Sequence, residues 1–117
     1  MATTENRDDL QACIEACEEA LHACQECAAA DIREGGGAQC ALINLDCADM
    51  CAATLNALAR GSQHHGDFCA LCSHLCRVCA QACEIHAGKH AHCKRCQEAC
   101  EACATACDEH AKERDAQ

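Results

Sequence analysis

The chain has 117 residues, the size of a single domain, and contains 17 Cys, 26 Ala, one Phe and no Pro, Trp or Tyr. Nine Lys and Arg stand against 19 Asp and Glu, a formal net charge of −10. The sequence thus lacks the basic surface and the aromatic platforms that nucleic-acid binding requires, and no apolar run approaches the roughly 18 residues of a membrane span. With only 16 Leu, Ile, Val, Met and Phe, the composition excludes an ordinary enzyme core built from large apolar side chains.

Glycine residues divide the chain into four segments. The breaks fall at Gly35–Gly37, between Gly61 and Gly66, and at Gly88, where glycine interrupts regular structure. The segments between them are rich in the helix formers Ala, Glu, Gln, Leu and Arg, without a strand-like alternation of Val, Ile or Thr. The sequence therefore predicts one all-α domain over residues 1–117, with helices at about 7–33, 38–60, 67–87 and 90–114.

Cysteine recurs at helical spacing in every segment. The third and fourth segments share the pattern C-x2-C-x3-C-x2-C-x3-C. The first and second segments carry the same stripe, except that Ala20 and Asn44 each stand in place of one cysteine. Steps of three and four keep side chains on one helix face, as at the a and d positions of a heptad. Four such helices with short links predict an antiparallel four-helix bundle with a Cys-lined core. The stripes comprise Cys13, Cys17, Cys24, Cys27, Cys40, Cys47, Cys51, Cys69, Cys72, Cys76, Cys79, Cys83, Cys93, Cys96, Cys100, Cys103 and Cys107.

The number of core thiols indicates metal binding. Leu in these positions would bury more apolar area. The cysteines are therefore present for the chemistry of their sulfur atoms and not only to fill the core. An odd number of Cys on long helical repeats is not typical of a disulfide framework. The polar start MATTENRDDL has no apolar segment of a secretory signal. We therefore expect reduced thiols and a cytoplasmic location.

Ligand type and charge favour Cu(I) as the metal. Structural zinc sites are discrete sets of four ligands, and iron–sulfur clusters use four Cys, usually on loops, whereas this ladder is continuous. Soft thiolates select Cu(I), and one Cu(I) per thiolate neutralises the core, while one Zn²⁺ per four thiolates leaves two negative charges. No Lys or Arg lies on the stripes. The sequence predicts multiple Cu(I) ions per chain, on the order of one per Cys.

Histidines extend the stripes at their ends. His86 follows Cys83 by three residues, His110 follows Cys107 by three, and His65 precedes Cys69 by four. Because neutral imidazole ligates copper, His86 and His110 are predicted as additional metal ligands, a solvated histidine being the alternative for each. In an antiparallel bundle Cys27, Cys40, Cys83 and Cys93 share one end, and the residues beyond them are polar, among them Asp31, His86, His90 and His92. The residues beyond the opposite end are apolar, namely Leu10, Leu55, Leu58 and Phe68. We therefore expect copper to enter at the His86 end.

The stretch CSHLCRVCAQACEIHAGKHAHCKRCQEACEACATAC resembles the bacterial copper storage proteins, and the likeness covers essentially the whole chain. The resemblance implies a four-helix bundle filled with Cu(I), a cytosolic member of the family and a homotetramer. A second apolar stripe, which includes Phe68, Leu71, Leu75 and Val78, either fills the flanks between helices or forms part of such a subunit interface.

Two other functions remain open from the residues. One is a general thiolate sink for zinc or cadmium, like a metallothionein. The other is a thiol redox module, although such a module needs an accessible Cys of low pKa beside basic residues. No nucleophile–base constellation is visible in the sequence, which predicts that the protein is not an enzyme.

Overall fold

The computed structural model describes residues 3–35 and 37–113, with side chains from Asp9 onward. This part of the chain forms four α-helices, α1 (Thr3–Arg33), α2 (Ala38–Ala59), α3 (His65–Glu84) and α4 (Ala91–Ala111). The ends of the predicted domain, residues 1–2 and 114–117, lie outside the described residues.

Six of the eight helix boundaries differ from the predicted ones, by one to four residues. Helix α1 begins at Thr3 instead of residue 7, since neither Gly nor Pro interrupts the preceding residues. Helix α3 begins two residues early, because the backbone N–H of His65 donates to the carbonyl of Ser62 and closes a first turn. It ends at Glu84 because a tight turn follows, in which the N–H groups of Lys89 and His90 both donate to the carbonyl of His86. Helix α4 runs from Ala91 to Ala111 instead of 90–114, because the N–H of Glu113 donates to the carbonyl of His110 in a turn that ends the helix.

The link after α2 is a Schellman turn. The N–H of Gly61 donates to the carbonyl of Leu58, and that of Ser62 donates to the carbonyl of Ala57. Gly61 has a φ of 66°, a left-handed conformation that glycine adopts without steric cost. The turn ends α2 sharply and returns the chain toward α3, as the short antiparallel link requires.

The helices form an elongated bundle with principal-axis extents of 51 × 20 × 19 Å. Each helix packs mainly against two neighbours, so that α1, α2, α3 and α4 surround one central axis in chain order. Short links between consecutive neighbours make the bundle antiparallel. The predicted all-α fold with a Cys-lined core is confirmed.

The interior of the bundle consists of cysteine and small residues. All 17 Cys are buried, the most exposed being Cys40 at 6%. Alanines, Asn44, Thr54 and Leu58 fill most of the remaining core. Several large apolar side chains lie instead on the surface, namely Ile32, Leu42, Leu45, Leu71 and Ile85. None of the helices in the described part of the chain is long and apolar enough to cross a membrane.

Candidate metal centre

The thiols of the four helices approach one another closely along the bundle axis. Cys24 Sγ lies 3.5 Å from Cys100 Sγ, and Cys47 Sγ lies 3.6 Å from Cys76 Sγ. All of the cysteines are free thiols. Sulfur–sulfur distances of at most 4.0 Å join twelve of them into one connected network, which consists of Cys13, Cys17, Cys24, Cys47, Cys51, Cys72, Cys76, Cys79, Cys96, Cys100, Cys103 and Cys107.

The thiol core contains groups of sulfurs that can surround a single ion. In each group the Sγ atoms lie within 4.8 Å of one another. The groups are Cys17, Cys72, Cys103 and Cys107; Cys24, Cys47, Cys79 and Cys100; Cys51, Cys72, Cys76 and Cys103; and the trio Cys13, Cys69 and Cys107. Two of the tetrads share Cys72 and Cys103, so these sulfurs are placed to bridge neighbouring ions.

Asn44 occupies the gap in the α2 stripe with an amide. Its side chain is fully buried, and its Oδ1 atom accepts hydrogen bonds from the thiols of Cys79 at 2.9 Å and of Cys83 and Cys96, both at 3.6 Å. Its Nδ2 atom donates to Cys40 Sγ at 3.9 Å. The amide is therefore hydrogen-bonded to four thiols of the core, as a buried polar group requires. Ala20, in the gap of α1, is also fully buried and adds no ligand atom.

Burial keeps outer thiols of this core protonated. It raises the pKa of the Cys40 thiol to about 12 and also raises the pKa of Cys93. Farther inside, hydrogen bonds between sulfurs raise the pKa of Cys76 and lower that of Cys72, because a thiolate is stabilised by neighbours that remain S–H donors. A metal that binds here must displace protons.

The metal must also supply the balancing positive charge. None of the described buried residues is a Lys or Arg. Arg77, for example, lies at the surface, where its guanidinium pairs with Asp108 at 2.6 Å. Because a buried thiolate without a counterion is very costly, the number of ionised thiols is tied to the charge of the bound ions.

At one end of the bundle, two thiols outside the connected network belong to a mixed group of candidate ligands. The donor atoms of Cys27, Asp31, His92 and Cys93 lie within 4.8 Å of one another. His92 Nδ1 is 3.4 Å from Cys27 Sγ and 3.6 Å from Cys93 Sγ. Asp31 is 7% exposed, and neither its Oδ2 atom nor His92 Nε2 has a hydrogen-bond partner among the described residues. A buried carboxylate oxygen without a partner is costly, and a cation would satisfy it.

The sequence analysis did not identify Asp31 or His92 as candidate ligands. Asp31 follows Cys27 by four residues, so it lies on the α1 stripe extended by one step, in the same way as His86 and His110 on theirs. His92 lies next to Cys93 and off the α4 stripe. Only the packing of α1 against α4 brings its ring to Cys27.

The two predicted histidine ligands have different surroundings. His86 is half-buried in the turn after α3, and its ring makes no hydrogen bond to a thiol within the ranges 9–35 and 37–113. His110 is buried at 7% exposure. Its Nδ1 atom lies 3.3 Å from Glu113 Oε2, and its ring centroid lies 6.1 Å from that of His65.

Comparison with known proteins agrees with this arrangement. The model of the copper storage protein family (Csp) matches residues 6–112. A Bacillus subtilis protein described as the uncharacterized cysteine-rich protein YhjQ is 35% identical over 87 residues, which are 72% of this chain and 79% of that protein.

Solved structures of copper storage proteins share the fold. A structure of copper loading to a cytosolic copper storage protein from Streptomyces lividans, with five coppers, has a TM-score of 0.87 at 33% identity and covers 93% of this chain and 97% of that one. The structure of the Cu(I)-bound copper storage protein BsCsp3 has a TM-score of 0.83 at 33% identity, and the match covers 88% of this chain and 98% of that one. The resemblance predicted from the cysteine pattern is confirmed: the chain belongs to the copper storage protein family.

Proposed function

We propose that this protein stores many Cu(I) ions in the cytoplasm, held by the thiolates inside its four-helix bundle. The observation that carries this proposal is the connected network of twelve buried sulfurs, which runs through the bundle without a break longer than 4.0 Å. A metal–sulfur bond of about 2.3 Å allows two sulfurs at this spacing to bind the same ion without movement of the backbone. The Streptomyces relative is described as cytosolic, which supports the location.

Charge and ligand sharing favour Cu(I) over zinc. Each sulfur tetrad has the size of a tetrahedral zinc site, but two tetrads share Cys72 and Cys103 and so are not separate closed sites. Zinc in every tetrad would leave excess negative charge in a core with no buried Lys or Arg among the described residues. One Cu(I) per thiolate leaves the core neutral. Storage without catalysis, and not a zinc or cadmium sink, is therefore the function that we assign.

The proposal is tested by anaerobic titration of the reduced apoprotein with Cu(I) and, separately, with Zn²⁺, each against a competing chelator. We expect more than about ten Cu(I) ions to bind per chain, because each soft thiolate accepts one, and we expect zinc not to displace them. Tight binding of about four Zn²⁺ with early saturation by copper would instead identify a zinc-type thiolate sink.

A redox function is less well supported by the position of the thiols. The cysteine residues are at most 6% exposed, whereas a redox-active Cys has to reach its partner disulfide. The closest pair, Cys24 and Cys100, has a sulfur–sulfur distance of 3.5 Å, which is well beyond a disulfide bond.

The group formed by Cys27, Asp31, His92 and Cys93 supports copper uptake at this end, as the sequence predicted. His90 stacks on His92 with ring centroids 5.3 Å apart, and His90 is exposed while Cys27 and Cys93 are buried. The imidazoles therefore lead from solvent toward the first thiols, and neutral imidazole is a copper ligand. We call this the His92 end.

The exposed apolar side chains of α2 and α3 support a homo-oligomer, and the family resemblance favours a tetramer. Leu42 is 63% exposed, Leu45 is 41% exposed and Leu71 is 49% exposed. Large apolar side chains exposed on two adjacent helices favour burial against another chain. We expect size-exclusion chromatography with light scattering to give four times the mass of the 12.4 kDa chain, and a monomer at micromolar concentration would exclude this assembly.

A further inference from the structure

The bundle end opposite the His92 end carries a second group of metal-binding side chains. Here the connected network ends at Cys13 and Cys107, and Cys69 completes a trio of sulfurs with them. His65 Nε2 lies 2.6 Å from Glu113 Oε1, and His110 Nδ1 lies 3.3 Å from Glu113 Oε2. His65 is the first residue of α3, His110 lies in the last turn of α4, and Glu113 follows that helix by two residues. We call this the His110 end.

Exposure decreases in steps from the carboxylate to the thiols at this end. The side chain of Glu113 is 49% exposed, that of His65 is 21% exposed and that of His110 is 9% exposed. Cys13 is 1% exposed. His65 Nδ1 also lies 3.0 Å from the carbonyl of Ser62, which holds the ring in place. A cation moving inward would meet a carboxylate, then imidazoles, then thiols.

A surface depression reaches this end of the network from the side. It measures about 270 Å³ and lies between α1 and α4, where it is lined by Asp9, Ala12, Cys13, Ala106, Glu109 and His110. It thus brings solvent next to Cys13 and His110, which are both buried. Its carboxylates and Glu113 give the opening a negative field, which attracts cations.

The sequence predicted an apolar end here, and the structure places apolar side chains on only one side of it. Leu58 of α2 is 3% exposed, and Leu10 and Phe68 are half-buried. The side formed by α1 and α4 instead holds the depression with its acidic and imidazole groups. The end therefore has an apolar half and a polar half.

We propose that Cu(I) also enters and leaves at the His110 end, through the depression between α1 and α4, and is passed by His110, His65 and Glu113 to Cys13, Cys69 and Cys107. This inference rests on the proposed storage function. Each transfer is a ligand exchange in which an imidazole or carboxylate bond to copper breaks as a thiolate bond forms. The thiol proton leaves to solvent, and the copper remains Cu(I) throughout.

The proposed entry route, which we call the His110 port, is tested by filling the depression without changing a candidate ligand. Ala106→Leu adds bulk between α1 and α4, while the matched control Ala99→Leu fills a neighbouring depression between the same helices, in whose lining there is no cysteine. Both alanines are half-buried. Uptake from a Cu(I)–chelator complex is followed anaerobically by stopped-flow absorbance, and equilibrium capacity is measured on the same samples.

We expect A106L to take up copper at about half the initial rate of the wild type, as for two parallel routes of similar electrostatic attraction. A99L is expected to keep the wild-type rate, and A106L combined with His92→Ala to be slower than either variant alone. Equal rates for A106L and A99L would overturn the port. Low capacity in the wild type would instead contradict storage itself, so the two failures are distinguishable.

The position of the first ions provides a second measurement that does not depend on rates. Crystals soaked briefly in substoichiometric Cu(I) are expected to show anomalous density at both the His92 end and the Cys13–Cys69–Cys107 trio. In A106L and His110→Ala crystals the density at the trio is expected only after long soaking. Density that always begins at the His92 end alone would refute the proposal, and circular dichroism of each variant establishes that it is folded.

Discussion

Replacing both Cys72 and Cys103 with Ala is expected to remove more bound copper than the two lost sulfurs account for. These residues are shared by two sulfur tetrads. They also connect Cys13, Cys17 and Cys107 with the remainder of the network, through sulfur–sulfur distances of 3.7 to 4.0 Å. Because bridging sulfurs serve more than one ion, we expect a loss on the order of four Cu(I) per chain, from soft-ligand sharing.

The double variant Cys40→Ala, Cys83→Ala is the matched control. It removes the same side-chain volume, but both thiols lie outside the connected network, with Asn44 as the hydrogen-bond partner of each. Here we expect a loss of about two Cu(I), one for each thiolate. The measurement is the anaerobic Cu(I) titration with a competing chelator. Equal losses in the two double variants would show that the sulfurs bind independently and are not shared.

The apoprotein is expected to lose stability steeply as the pH rises from about 9 to about 12. In the unfolded chain the Cys40 thiol ionises at its ordinary pKa of 9.0, whereas burial raises its pKa to about 12 in the fold, and burial also raises the pKa of Cys93. The folded state therefore holds more protons in this window, so that the free energy of unfolding falls as the pH rises and the contribution is complete only below pH 9. Each such thiol contributes up to about 1.4 kcal/mol per pH unit, against a total stability of roughly 5–15 kcal/mol.

Copper loading should abolish this alkaline sensitivity. In the loaded protein the metal has already displaced the thiol protons into solvent, so no buried thiol remains to ionise. Urea unfolding followed by circular dichroism at pH 8, 9, 10 and 11 measures both states. We expect the midpoint of the apoprotein to fall across this series and that of the loaded protein to stay level. An apoprotein midpoint that does not change above pH 9 would contradict the assignment of protonated, buried thiols.

The sequence alone predicted four helices and a Cys-lined core, and it indicated a soft metal ion. Steps of three and four between cysteines specify a single helix face, and a face of thiols must be buried against other such faces. Soft sulfur ligands without a buried cation then indicate Cu(I). The same periodicity extended by one step reaches Asp31 and His110, and both are buried in the structure.

The two ends of the bundle were decided only by the tertiary structure. His92 lies off its stripe and reaches Cys27 because α1 packs against α4, and His65 meets Glu113 across 48 positions of sequence. Periodicity describes which side chains share a face of one helix. This periodicity carries no information about which helix ends lie side by side, because their relative positions depend on the geometry of the links and on packing between helices. The acidic depression beside Cys13 and His110 arises in the same way, from two helices that are neighbours only in the fold.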